Sequence, residues 1–585
     1  MPDLVAVDTR LALGDSGRMQ QLQFDVLGRL QLHQGTATWN EWYVAWSDGS
    51  FGWLAEARGR VIVSHRVERA ISVPPFAGLQ PGDRLTLPGL GSAVIEEVGE
   101  ALFVSAQGEL PFQPQLNATY RFVDASMGDG MYVTLDYAQD SEAPDIFMGR
   151  ELSYDELRLR SAGPSREDRA PESPEGAALR CPGCSGPIGL KLSSSLAVTC
   201  PSCGKLWSHS DGRLELIKAL QQRHQPALPL GARGRLFDQQ LEVIGWTRRA
   251  LSYAGTEYSW QEYLLHGPGG YFWLSENQGH WVFLTPLPAA AVTMHGQLEA
   301  NYQSETYRHF QDSKDVRYAD IQGEFYWDLQ PGAQAEMRDF VRPPYLLSVE
   351  TIGKERAVTH GEYVPAATVW KSFGQTTDPP AQSGVAPCQP NPHRAKMRDA
   401  TLGFWCGIAL FVLFTFVLLI ALPKRVVLSM GVPVTDDQPV TLSDPFVLRG
   451  GVHAASVRAH SEFLGNGWVG LELALIHEAT GQSHELDMDL SYFAGYTDGE
   501  SWSEDHLSDE TRLGSIAPGS YVLRVAPHFD PAYPRPDTTR VEVVQGVYLW
   551  LPFWLCLIAL SLPPSVLWIR SKRFESRRWS QSDYS

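Results

Sequence analysis

Polar and apolar positions alternate in short runs over most of the chain. Residues 42–46 (WYVAW) and 51–55 (FGWLA) flank Asp48-Gly49, and Gly269-Gly270 holds the matching place before 271–274. Period-two alternation around a turn doublet predicts antiparallel hairpins. The pattern returns at 468–475 (WVGLELAL) and at 520–525 (SYVLRV), the latter after Pro518-Gly519. Two stretches break it. Residues 403–422 run for twenty positions without a charge, and residues 547–569 for 23, with Trp550, Trp554 and Trp568 near the ends. Each is long enough to cross the roughly 30 Å hydrocarbon layer, so both are expected as transmembrane helices. Pro552, Pro563 and Pro564 weaken the second as a straight helix, which membrane helices tolerate.

Flanking charge sets the expected orientation. Arg394, Lys396 and Arg398 precede the first span, and Lys424 and Arg425 follow it, a near balance. Nothing basic lies just before the second, whereas Arg570, Lys572, Arg573, Arg577 and Arg578 follow. Positive-inside then places both termini in the cytoplasm, residues 425–546 outside, and 570–585 as a basic cytoplasmic tail. Residues 1–30 hold no apolar h-region, so the long N-terminal part is expected in the cytoplasm.

That part contains a repeat. Residues 13–29 (LGDSGRMQQLQFDVLGR) align without a gap to 230–246 (LGARGRLFDQQLEVIGW). WNEWY (39–43) then matches WQEY (260–263), FGWLAEARG (51–59) matches YFWLSENQG (271–279), and Gly108-Glu109 matches Gly323-Glu324. A near-constant offset means a duplicated domain, spanning 8–157 and 226–372, each copy a small β-barrel or sandwich. The L-G-x-x-G-R opening, the W-x-E-W/Y hairpin and the W-L-x-E strand resemble the bacterial domain of unknown function 4178 family. The resemblance implies a bacterial membrane-associated protein without an established activity, and points toward an envelope or polyamine-linked system.

Between the copies, CPGC (181–184) and CPSC (200–203) are separated by fifteen residues. Two C-x-x-C knuckles at this spacing supply four thiolates, Cys181, Cys184, Cys200 and Cys203, for a closed tetrahedral Zn²⁺ site. A zinc ribbon over 179–215 is expected, structural rather than water-activating. Seven cysteines among 585 residues exclude a disulfide-built scaffold. The 67 acidic residues against 48 basic, net −19, argue against nucleic acid as a partner. Residues 158–178 and 374–400 read as linkers, with Cys388 a lone thiol in the second.

Residues 424–546 carry 18 acidic and 8 basic side chains, net −10. Their alternation indicates a β-sandwich over 425–546. Asp498, Glu500, Glu504 and Asp505 are candidate ligands there for a metal ion or polyamine, although no EF-hand spacing is present. GNGWVG (465–470) is followed by alternation rather than a helix, so it is no dinucleotide loop. The duplicated carboxylates Glu41/Glu262, Glu56/Glu276 and Glu109/Glu324 are the best catalytic candidates, but no histidine repeats beside them.

The sequence therefore predicts a mainly β membrane protein: two duplicated domains, a zinc ribbon, two spans and an external sandwich. Its expected role is non-catalytic, a scaffold or signal coupler binding protein partners through Trp39, Glu41, Trp42, Trp260, Glu262 and Tyr263. A receptor for a small cation at the external domain, and an enzyme using the duplicated glutamates, are the alternatives.

Overall fold

Alternation closes each half of the repeat on itself. The computed structural model describes residues 9–584, except 36, 58–59, 129, 138–142, 153, 161–178, 193–194, 211–212, 221–223, 254, 328, 330, 422, 438, 451–452 and 549. The first copy supplies β1 (Leu22–Gln34), β2 (Ala37–Trp46), β3 (Phe51–Ala57), β4 (Arg60–Arg66), β5 (Gly91–Gly108), β6 (Thr119–Met127), β7 (Met131–Tyr137) and β8 (Asp145–Leu152). They pair antiparallel in the order β1-β2-β3-β4-β8-β7-β6-β5, and β5 returns to β1. That is a closed eight-stranded barrel, which leaves none of these strands as a free edge.

The second copy repeats it. Its strands are β9 (Gln239–Tyr253), β10 (Thr256–Gly267), β11 (Gly270–Asn277), β12 (His280–Leu287), β13 (Glu305–Phe325), β14 (Ala335–Arg342), β15 (Tyr345–Ile352) and β16 (Glu355–Val364). The order β9-β10-β11-β12-β16-β15-β14-β13 again closes, β13 onto β9. Of the barrel and sandwich expected for each copy, both form the barrel.

The duplicated glycines explain the closure. At the β1–β5 seam Gly28 lies opposite Gly108, and at the β9–β13 seam Gly245 lies opposite Gly323. A Cβ on Gly28 would lie 2.0 Å from the Glu109 carbonyl oxygen, and one on Gly245 2.7 Å from that of Glu324. Gly108 and Gly323 also adopt φ of 77° and 94°, a region that disfavours side chains. The repeat thus preserves two positions at which backbone meets backbone across this seam.

Alternate residues along each strand face out or in. Outward in the first barrel, Trp42, Val44, Leu54 and Val63 form a core with Leu157, under the strand Ser16–Met19 and the turn Tyr154–Leu157. A second outer core gathers Ile95, Val123, Val133 and Leu135 with Leu79 and Leu85. Each such buried side chain contributes about 1.5–3 kcal/mol, so the stabilising cores lie largely outside the barrel wall. The inward face carries a smaller core of Leu30, Leu32, Ala101 and Phe122, with Trp39, Trp53, Phe103 and Tyr120 packed against it.

The ribbon adds its strand Ala197–Thr199 to the end of β13, pairing Ala197 with Phe325 and Val198 with Glu324. It runs past the expected limit at 215, through a strand Arg213–Ala219. After β16 comes the short helix α1 (Ala366–Ser372). Of the expected linkers, most of 158–178 lies outside the described residues. The expectation for 374–400 needs correcting. Val385, Ala386 and Cys388 are buried, and Arg578, 1% exposed, donates to the carbonyls of Pro387 and Gln389 at 2.6 Å each. Residues 385–389 are a packed strap, held by the tail that the sequence marks only as basic, and the stretch from Arg394 on is the start of a long helix. Trp579 meets Phe310, Tyr584 hydrogen-bonds His309, and the Asp583 amide donates to the Phe310 carbonyl.

The chain divides into two compact units, residues 1–391 with 572–585, and residues 392–571. The second unit holds α2 (Arg394–Ala421) and the start of α3 (Trp550–Trp579), both long and apolar enough to cross a membrane. Phe411 stacks on Phe553 at 5.2 Å, and Gly407 faces Leu560. Between the two helices lies a sandwich of a four-stranded and a six-stranded sheet, closed over Val457, Leu471, Leu523 and Val541.

Candidate functional site

Three places carry chemistry. The first is the ribbon. Sγ of Cys181 lies 3.6 Å from that of Cys203, and Cys184 is equally far from Cys200. All four sulfurs fall within 4.8 Å of one another, and none is in a disulfide. Bonds of about 2.3 Å from one central ion would put tetrahedral sulfurs about 3.8 Å apart, so the donor set fits a metal ion. The two knuckles are tightened by amides: Ser185 donates to the Cys181 carbonyl at 2.7 Å and Gly204 to that of Cys200 at 2.9 Å. Glu324 then ties the ribbon to the second barrel, accepting from the amides of Lys191 and Leu192 and from Ser195 Oγ at 2.8–3.1 Å.

The second place is the lumen of the first barrel. Trp39 on β2 meets Phe122 on β6 with ring centroids 6.0 Å apart, a contact across the interior. Trp39, Glu41 and Tyr43 share this inward face with Trp53, Tyr120, Asp124, Thr134 and Asp136, and all of them line one end of an open cavity of about 2180 Å³ that runs on to His209 of the ribbon and to Tyr271 and Trp273 of the second barrel. Trp39 Nε1 donates to Glu41 at 3.2 Å, and Thr134 donates to Asp124 at 2.6 Å. Burial pushes the Glu41 carboxyl up to about 7, with Asp136 and Asp124 adding to the rise against the Trp39 hydrogen bond. Burial and then Asp145 push Asp136 to about 7 as well.

The second lumen uses the same framework differently. Leu32 pairs with Trp39 and Phe103, and Arg249 pairs with Trp260 and Tyr318, so Arg249 replaces Leu32. Its guanidinium reaches Glu350 at 2.6 Å and Glu262 at 3.5 Å, and lies 4.4 Å from the Tyr318 ring centroid. Burial opposes its charge, but Glu262 and Glu350 more than offset that and raise its pKa. Burial dominates at Glu262 and raises its pKa despite Arg249.

These positions correct the expected contact patches. Trp42 and Tyr263 are 1% and 0% exposed; Trp42 Nε1 donates to Glu56, and the Tyr263 hydroxyl takes the Ala227 amide. Trp39, Glu41, Trp260 and Glu262 point into the lumens. Alternation sends one set inward and the other under the flanking segments, so the six do not form exposed surfaces. The other duplicated glutamates serve structure: Glu56 accepts from Trp42 and the Arg10 amide, and Glu276 from Gln261 and the Gly279 amide. Glu109 is exposed.

The third place, the acidic hairpin around residues 498–505, does not gather its candidates. The strand Glu500–His506 is exposed throughout, and its period-two alternation points Glu504 and Asp505 to opposite faces. Asp498 sits at the turn with φ 54°. Among the described residues, the four cysteines form the one cluster with ligand atoms close enough to hold a metal.

Sequence reasoning missed Asp124/Asp339, Asp136/Glu350 and the Leu32/Arg249 exchange. The signal was present: these carboxylates recur at offsets of 215 and 214, close to that of the glycine pair, without any surrounding identity.

Fold and site define a tandem-barrel β protein with a four-cysteine ribbon between its barrels and two helices able to cross a membrane. The Domain of unknown function (DUF4178) matches at residues 12–154 and 229–366, so the chain carries two tandem copies of that domain, one in each barrel. No curated protein matches the chain.

Proposed function

We propose that this is a membrane-anchored binding protein whose first barrel takes up a small ligand, while the second barrel, the ribbon and the strap form its platform. One observation carries the reading: the inward carboxylates Glu41, Asp124 and Asp136 of the first barrel line a large open cavity, whereas in the second barrel Glu262 and Glu350 are taken up by Arg249 and none of the three lines it. An aromatic, mostly pre-formed cavity with a few convergent polar groups is what ligand sites need. The reading retains the expectation of a non-catalytic membrane component that couples a bound state to other proteins, and moves the binding surface from exposed tryptophans to the lumen.

Zinc is the ion we assign to the ribbon, because four thiolates in two knuckles close a tetrahedral shell. It would hold a unit too small for a core of its own. The tail after the second span belongs to the same compact unit as residues 1–391. That supports a helical hairpin with both termini in the cytoplasm and the sandwich on the far side of an inner membrane.

Cysteine accessibility tests the reading. Thr134 and Ser348 hold equivalent inward positions, opposite Asp124 and Asp339. In full-length protein, Thr134→Cys should react with iodoacetamide at least tenfold faster than Ser348→Cys, scored by peptide mass spectrometry. Equal rates would mean the first lumen is as closed as the second, and the reading would fall.

A further inference from the structure

The duplication supplies an internal comparison. Two inward carboxylates of the second barrel, Glu262 and Glu350, clasp the Arg249 guanidinium from different strands, β10 and β15. Strand register gives their counterparts. Glu41 follows Trp39 as Glu262 follows Trp260. Gly149 opposes Tyr132 where Gly361 opposes Leu346, so Asp136, four residues on, corresponds to Glu350. Asp124 opposes Thr134 as Asp339 opposes Ser348. The first barrel therefore has the carboxylates without the cation, with Leu32 where Arg249 stands. Among the described residues, no ion pair is made by Glu41 or Asp136. The nearest cationic influence on Asp136 is Arg66, which is already paired with Asp145.

The walls suit the same guest. Tyr318 lies beneath Arg249 in the second barrel, and Phe103 holds its place in the first, with Trp53 and Tyr120 on the same cavity. Aromatic faces attract a cation within about 6 Å of the ring, and carboxylates in a partly dry space bind guanidinium or ammonium by charge-assisted hydrogen bonds.

Resting on the reading of the first lumen as a ligand cavity, we propose that it binds an organic guanidinium or ammonium ion. The ligand's charged group lies between Glu41 and Asp136, where the second barrel places its own arginine. The first barrel is thus the receiving copy and the second the self-filled one.

The test is calorimetric titration of full-length, detergent-solubilised protein with n-butylguanidinium, an analogue of the arginine side chain, against neutral n-butylurea. One site per chain is expected, with n-butylurea at least tenfold weaker. Glu41→Gln together with Asp136→Asn should weaken guanidinium binding at least tenfold. Leu32→Arg should abolish it while keeping the wild-type melting temperature, by filling the lumen from within. If that variant misfolds, the carboxamide pair alone decides. Equal binding of the two compounds, or undiminished binding to the carboxamide pair, would overturn the cation proposal and leave the cavity reading standing. Binding of neither compound while Thr134→Cys still labels would overturn it too. Failure of Thr134→Cys to label would remove both.

Discussion

Arg249→Leu copies into the second barrel the residue of the first, and its cost follows from burial. The Arg249 side chain is 3% exposed, between Glu262 at 12% and Glu350 at 26%. Removing one partner of a buried pair costs about 3–5 kcal/mol, because the remaining charge is stranded. Glu350 is reached by water, so the lower end applies, about 3 kcal/mol. At about 2–4 °C per kcal/mol for a unit of this size, the melting transition should fall by roughly 10 °C at pH 8. The pH dependence is a sharper test. Burial already raises the Glu262 pKa, and losing Arg249 raises it further. A carboxyl with a folded pKa above its unfolded value of about 4.3 binds more protons folded than unfolded in that window, so stability falls as pH rises through it. The variant's deficit should therefore shrink from pH 8 to pH 5, and adding Glu262→Gln should recover part of it at pH 8. Thermal melts of the full-length protein, with hydrogen exchange on β10 and β15 to localise the change, would check this. A deficit under about 1 kcal/mol at pH 8, or one that does not change with pH, would refute the buried-pair account.

The ribbon should carry about one zinc per chain by elemental analysis, and Cys181→Ser with Cys200→Ser should remove it and speed hydrogen exchange in 196–210; unchanged metal content would dismiss the assignment. Arg578→Ala should release the strap, since it strands two carbonyls that now accept from a charged donor at 2.6 Å, worth about 1.5–3 kcal/mol each. Cys388, buried and with its thiol pushed up to about 12 by that burial, should be inert to iodoacetamide in the wild type and reactive in the variant. Equal protection would show that something else holds the strap. In the first lumen, Glu41 faces Asp124 and Asp136, and Asp136 faces Asp145 with Arg66 beyond; both lumen carboxyls stand near pH 7. Guanidinium binding should strengthen about tenfold per carboxylate from pH 6 to pH 8 as each ionises, and a flat profile would exclude them as its partners.

Much of the architecture was legible because it depends on local pattern. Twenty uncharged residues marked a helix wherever they packed, alternation around Asp48-Gly49 marked a hairpin, and paired C-x-x-C knuckles marked a ligand set by spacing alone. The repeat was legible for a structural reason. Gly28, Gly108, Gly245 and Gly323 are among the positions where a Cβ would strike backbone of a neighbouring strand, so sequence similarity survives there.

The inward face was not legible, because alternation tells a strand that it has two sides without naming them. Trp39 and Glu41 read equally well as an exposed patch or a lumen. Only closure of β5 onto β1 placed them inside and sent Trp42 outward under the flanking turn. Asp124 and Asp136 lie more than eighty residues from Glu41 in the chain, and only the order β1-β2-β3-β4-β8-β7-β6-β5 brings the three carboxylates to one space. The strap shows the same limit. Proline-rich composition at 374–391 says nothing of an arginine nearly two hundred residues on, whose hydrogen bonds hold the segment down. Sequence determined the elements and the ribbon's ligands, which depend on neighbours within about twenty residues. Tertiary structure alone decided inside from outside, and which copy of the duplicated barrel was left with carboxylates and no arginine between them.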